Sequence, residues 1–129
     1  MNCAITHRTV VLPGPVPLDG SVVHYEYRRY EVTPGRMEDL LDRFERTTLG
    51  VWDDIGIRPV GFWQSDIGRS SHLHYLLTWD RLDDRTERLH AFRSDPRWVK
   101  AKEDTEQDGP LIQFAETELW TPTRFSALQ

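Results

Sequence analysis

The stretch that most constrains this chain is YEYRRYEVTPGR, residues 25–36, in which a polar strand runs directly into a helix start. A strand alternates faces at every residue, so Glu26, Arg28 and Tyr30 point one way and Tyr25, Tyr27 and Arg29 the other. An acid, a guanidinium and a phenol on one strand face are poor material for a dry core and suit the lining of a pocket. Thr33 offers a helix cap, and Pro34 suits the first helical position, where its missing N–H costs nothing.

Elements follow in a legible order. Met37, Leu40, Leu41, Phe44, Thr48, Trp52 and Ile55 recur at helical spacing, with Gly50 weakening the last turns and Gly56 as a stop. Strands are expected over Pro59–Ser65 and Ser71–Trp79, joined by SDIGRS with Gly68 available for positive φ. A second helix is expected near Leu82–Arg93. Asp95-Pro96 caps a third helical piece, QDGP (107–110) breaks it, and a last strand covers Leu111–Trp120. Strand–helix–strand–strand–helix–strand, with the second helix split, is an α+β, ferredoxin-like βαββαβ protomer. Its helices cover one sheet face. The other, expected to carry Trp63 or Trp79 beside polar groups, calls for a homodimer that pairs two sheets.

The chain has 129 residues, a net charge of −5 and 29% charged residues, which describes one globular domain and gives no basic patch for nucleic acid. Arg36, Arg43 and Arg46, set among Glu38, Asp39, Asp42 and Glu45, read as a solvated helix face. No apolar run reaches the roughly 20 residues of a membrane span. No secretory signal is read in the proline-broken start, and Cys3 is the sole cysteine, so a cytoplasmic protein is expected. Residues 1–22 read as an extended arm and 23–129 as the folded domain.

On five segments the chain resembles the NIPSNAP family of the dimeric α/β-barrel superfamily: YEYRRYEVTPGR, VGFWQSDIG (60–68), LTWDRLDDR (77–85), DPRW (95–98) and TPTRFSALQ (121–129). The resemblance implies a dimer whose sheets enclose a cavity. The family's Glu-x-Arg-x-Tyr falls on Glu26, Arg28 and Tyr30, and its glycine-aromatic-Trp on Gly61, Phe62 and Trp63. Where relatives carry a third-strand histidine this chain has Tyr75, with His72 and His74 beside it. The superfamily includes cofactor-free oxygenases, polyketide cyclases, lactone isomerases and haem proteins.

Glu26, Arg28, Tyr30, His72, His74 and Tyr75 are therefore the candidate catalytic groups, with Phe62, Trp63 and Trp79 as walls for a small-molecule ligand. Glu26 or His74 would serve as base, and Arg28 and Tyr30 would stabilise negative charge on oxygen. The competing reading of Glu26, Arg28 and Tyr30 is a buried structural ion pair. His-x-His on one strand can bind a metal only if a third ligand such as Glu26 or Glu118 converges, so no metal is expected. Haem would need His72 or His74 as axial ligand. No phosphate loop, nucleotide fingerprint or nucleophile elbow is present, which argues against NAD, ATP and serine-hydrolase chemistry; no organic cofactor is expected. The expected function is proton-transfer chemistry (isomerase, cyclase or dehydratase) on a hydrophobic oxygenated molecule in a biosynthetic role. A non-catalytic binding or interaction module, or a haem-binding, monooxygenase-like protein, is the alternative.

Overall fold

The computed structural model describes residues 22–129; the expected arm and Cys3 lie, apart from Val22, outside the described residues. Four strands, β1 (His24–Val32), β2 (Arg58–Gln64), β3 (His72–Trp79) and β4 (Ile112–Trp120), form one sheet in the order β2-β3-β1-β4. All three pairings are antiparallel. The helices are α1 (Met37–Arg43), α2 (Leu49–Ile55), α3 (Leu82–Ser94) and α4 (Pro96–Thr105). This is the expected α+β, ferredoxin-like order, with the two central strands, β1 and β3, carrying the polar stretch and the third-strand aromatics side by side.

The first helix starts later than its sequence suggests. Thr33 does not cap it: its hydroxyl donates to the Pro110 carbonyl at 2.6 Å, and Arg36 N–H bonds back to the Thr33 carbonyl at 2.9 Å. Thr33-Pro34-Gly35-Arg36 is thus a turn, with Gly35 at φ 81° where that turn needs a left-handed residue. Gly56, at φ 96°, ends α2 as expected, and Asp95 caps α4 by accepting from Arg97 N–H at 2.9 Å.

A π-helical turn, Phe44–Thr48, joins α1 to α2; the Leu49 N–H reaches the Phe44 carbonyl five residues back. Leu40, Phe44, Thr48 and Trp52 are spaced by four, and in a plain α-helix each such step would drift about 40° around the axis. The wide turn absorbs that drift and keeps all four side chains buried beneath the helices. There they meet Leu73, Tyr75, Leu77 and Trp79 from β3, each at most 1% exposed. Phe44 and Trp52 meet edge to face at 5.7 Å, and Phe62 and Tyr75 lie 5.1 Å apart in the same cluster.

Candidate functional site

Register decides which candidates meet. In the β1–β3 ladder Glu26 pairs with Leu77, Arg28 with Tyr75 and Tyr30 with Leu73, so these side chains share the helix-covered face. Glu26 is fully buried. It accepts from Arg28 Nε at 2.8 Å, Trp79 Nε1 at 2.9 Å, and Arg85 Nε and Nη2 at 2.7 and 3.2 Å. Burial alone would raise its pKa; the hydrogen bonds from Arg85 and Trp79 and the two guanidinium charges outweigh that and hold it below the ordinary value. A carboxylate tied to four donors is an anchor. It is no longer available as the general base expected of it.

The far end of Arg28 does something different. Its Nη1 donates to the Tyr30 hydroxyl at 3.2 Å and to the Tyr75 hydroxyl at 3.3 Å, and the two hydroxyls stand 2.6 Å apart. Burial disfavours the Arg28 charge, yet Tyr75, Tyr30 and Glu26 around it raise its pKa above the usual guanidinium value. Burial pushes the Tyr75 phenol well above its ordinary range. Tyr75 is 0% exposed, and among the described residues its one acceptor is the Tyr30 oxygen. Tyr75 therefore donates to Tyr30, and the Tyr30 proton is left to point elsewhere.

Elsewhere is a cavity. A space of about 250 Å³ lies between sheet and helices. Of the candidate catalytic and wall residues named from the sequence, Tyr30 is the one that lines it, together with Leu40, Phe44, Thr48, Trp52 and Trp98. The π-helical turn thus supplies two of its walls. Arg43, read from the sequence as part of a solvated face, is 4% exposed. Its guanidinium lies over the Trp98 ring at 4.7 Å and donates to Glu106 at 2.6 Å and Thr105 at 3.0 Å. Its burial is not legible from neighbouring residues because its charge partner is 63 residues away. The signal it did carry was the run of four-residue spacings at Leu40, Phe44, Thr48 and Trp52.

His72 and His74 lie on the opposite, open face of the sheet, paired with Glu31 and Arg29. Tyr27 bonds His74 Nδ1 at 2.8 Å, and Ser65 stands 3.3 Å from its Nε2. Arg29 Nη1 lies 3.1 Å from His72 Nδ1. Burial, then the Arg29 and Arg69 charges, lower the His72 pKa. A sheet thickness separates His74 from Arg28 and Tyr30, so the three do not act on one substrate atom. Glu26, on the other face, does not join the histidines, and among the described residues no group of three or more His, Cys, Asp or Glu converges as a metal site.

The three expected walls are split as well. Phe62 packs in the aromatic core, and Trp79, expected on the uncovered face, is 1% exposed and bonded to Glu26. Trp63, paired with His74, lies on the open face at 52% exposure, beside Gly61. A Cβ on Gly61 would come within 2.7 Å of the Trp63 ring, so glycine is what lets the indole lie flat over its own strand. Tyr27 stacks between Trp120, at 4.9 Å, and His74, at 6.0 Å.

Comparison with known proteins agrees with this architecture. The sequence pattern of the NIPSNAP family matches residues 25–127. A human protein, NipSnap homolog 3A, is 29% identical over 86 residues, 66% of this chain and 33% of its own length. The chain thus spans about a third of the length of the curated relatives it matches. A NIPSNAP family protein from Agrobacterium tumefaciens superposes with a TM-score of 0.73 and 26% identity, over 83% of this chain and 91% of that one. A putative antibiotic biosynthesis monooxygenase from Chloroflexus aurantiacus shares the fold at TM-score 0.52 and 14% identity, over 78% of this chain and 93% of that one. No helix among the described residues is long and apolar enough to cross a membrane.

Proposed function

The chain belongs to the NIPSNAP family, and from that premise we propose that it binds a small, mostly apolar, oxygen-bearing molecule between its sheet and its helices. One observation carries this reading. Tyr30 lines the cavity, accepts from Arg28 and stands 2.6 Å from the fully buried Tyr75 hydroxyl; with Tyr75 as donor, the Tyr30 proton is free for a ligand oxygen. Accepting two hydrogen bonds, one of them from a cation, makes that O–H a stronger donor. The apolar remainder of the wall suits the ligand's body.

The same arrangement favours proton-transfer chemistry at that oxygen: isomerisation, cyclisation or dehydration, run without an organic cofactor. Tyr30 is then the acid that protonates the ligand oxygen, Arg28, acting through it, stabilises the negative charge that gathers there, and water reaching the cavity takes the C–H proton. The family's strand motif divides its labour on this reading, Glu26 anchoring Arg28 and Arg28 activating Tyr30.

The open face is the proposed homodimer surface. It presents Trp63 and Phe114, each 52% exposed, and Trp120, 42% exposed, around the Tyr27–His74 stack. Face-to-face pairing of two sheets would bury them.

Calorimetric titration with acetophenone tests the binding reading. Tyr30→Phe should weaken binding about 3- to 10-fold, the worth of one neutral hydrogen bond, and unchanged affinity would refute Tyr30 as the donor. Exchange of the acetophenone methyl protons in D2O, faster with the wild type than with Tyr30→Phe, would separate proton transfer from binding alone.

A further inference from the structure

Trp52 stands out among the cavity's polar groups. Arg43 is satisfied by Glu106 and Thr105, and the Thr48 hydroxyl donates to the Arg43 carbonyl at 3.3 Å. Tyr30 has its two donors. The Trp52 indole is 2% exposed and lines the cavity, yet among the described residues its Nε1–H is the one buried side-chain nitrogen or oxygen without a hydrogen-bond partner.

Packing does not account for it. The ring sits among Phe44 at 5.7 Å, Tyr75 at 5.9 Å and Phe92 at 5.8 Å. A phenylalanine would join that cluster without burying an unpaired donor, which native interiors avoid. An indole N–H only donates, so what completes it must be an acceptor. The nearby charges cancel, Arg43 against Glu106, and Lys102 is exposed at the rim. The wall therefore offers a buried acceptor no net counter-charge.

We propose that Trp52 is a second ligand-recognition residue, and that the cavity takes an uncharged molecule with two separated acceptor oxygens, one for Tyr30 and one for the Trp52 indole, on an aromatic or alicyclic body. This rests on the binding reading above and narrows its ligand to dicarbonyl-like or keto-ether compounds. The π-helical turn gives the geometry its reason: it holds Phe44 and Thr48 in the cavity wall on the same helical stripe as Trp52.

Amide and indole NMR of the full chain, titrated with the three diacetylbenzene isomers and with 1,4-diethylbenzene, tests this. At least one diacetylbenzene should move the Trp52 indole proton downfield and bind more tightly than the hydrocarbon; Trp52→Phe should lose about 3- to 10-fold of that affinity. Should Trp52→Phe fail to fold, the wild-type indole resonance decides alone. If the diacetylbenzenes bind but the indole resonance stays where it was, the Trp52 assignment is overturned and the cavity reading stands. If none of the four compounds binds, both are overturned. A benzoate ion that binds as tightly as the best diketone overturns the requirement for an uncharged ligand.

Discussion

Arg85 of α3 and Glu26 of β1 are 59 residues apart in sequence and meet at 2.7 Å, with a second contact at 3.2 Å. Arg85 thus ties the second half of the chain to the first strand at the point where Arg28 also takes hold of the carboxylate. Two guanidinium groups share one fully buried acid, and one of them extends on to Tyr75 and to Tyr30, which lines the cavity. On the proposed binding reading, stability and recognition are linked through Arg28.

Removing the acid should therefore be felt as stability. Glu26→Gln leaves Arg28 and Arg85 without their counter-charge, and the expected loss is about 3–5 kcal/mol, read from urea denaturation midpoints. A loss below about 1 kcal/mol would mean that the pair is bystander geometry.

The same carboxylate predicts an acid limb. Its folded pKa is depressed below 4.5 by Arg85, Arg28 and Trp79 against the opposing effect of burial. The unfolded chain then binds the proton more readily than the folded one. Glu26 contributes stability above the unfolded value, and that contribution drains away as pH falls through the folded one. The wild-type advantage over Glu26→Gln should shrink steadily below about pH 4.5. An advantage constant from neutral pH down to the acid transition would contradict the assignment.

Tyr75 is predicted to act on the ligand only through Tyr30. Tyr75→Phe removes one acceptor from Arg28 and the donor behind Tyr30, at a cost of about 1–3 kcal/mol in folding. Its acetophenone affinity should fall by less than that of Tyr30→Phe. Equal or greater loss in Tyr75→Phe would put Tyr75 in contact with the ligand.

Assembly should depend on the other face. Trp63→Glu with Trp120→Glu should convert a dimer to a folded monomer, seen as a change in mass by light scattering with an unchanged circular dichroism spectrum. Gly61→Ala, which drives a methyl into the Trp63 ring, should weaken the same association more mildly. A wild type that is monomeric at all concentrations would remove the dimer from the account.

Much of this was legible from residues alone. Gly56, Asp95-Pro96 and the period-two strands announced the element order, because each is a local signal read by local chemistry. Alternation correctly grouped Glu26 with Arg28 and Tyr30, and His72 with His74. It did not say which group on β1 shared a face with which on β3, since that depends on register between distant strands. Arg43 was misread for the same reason: a charge looks solvated until a partner far along the chain covers it. Thr33 lost its capping role to the turn that Gly35 makes possible, and the unpaired Trp52 indole is a property of packing that periodicity does not express.

On the proposed reading, ligands enter between sheet and helices, at Tyr30, rather than on the open face at His74. Chemical-shift mapping with acetophenone on the isotopically labelled full chain tests it most directly. The perturbed resonances are expected to cluster at Tyr30, Phe44, Thr48, Trp98 and Ile112. Perturbations gathered instead at Tyr27, Trp63, His74 and Trp120 would place the site on the opposite face and contradict it.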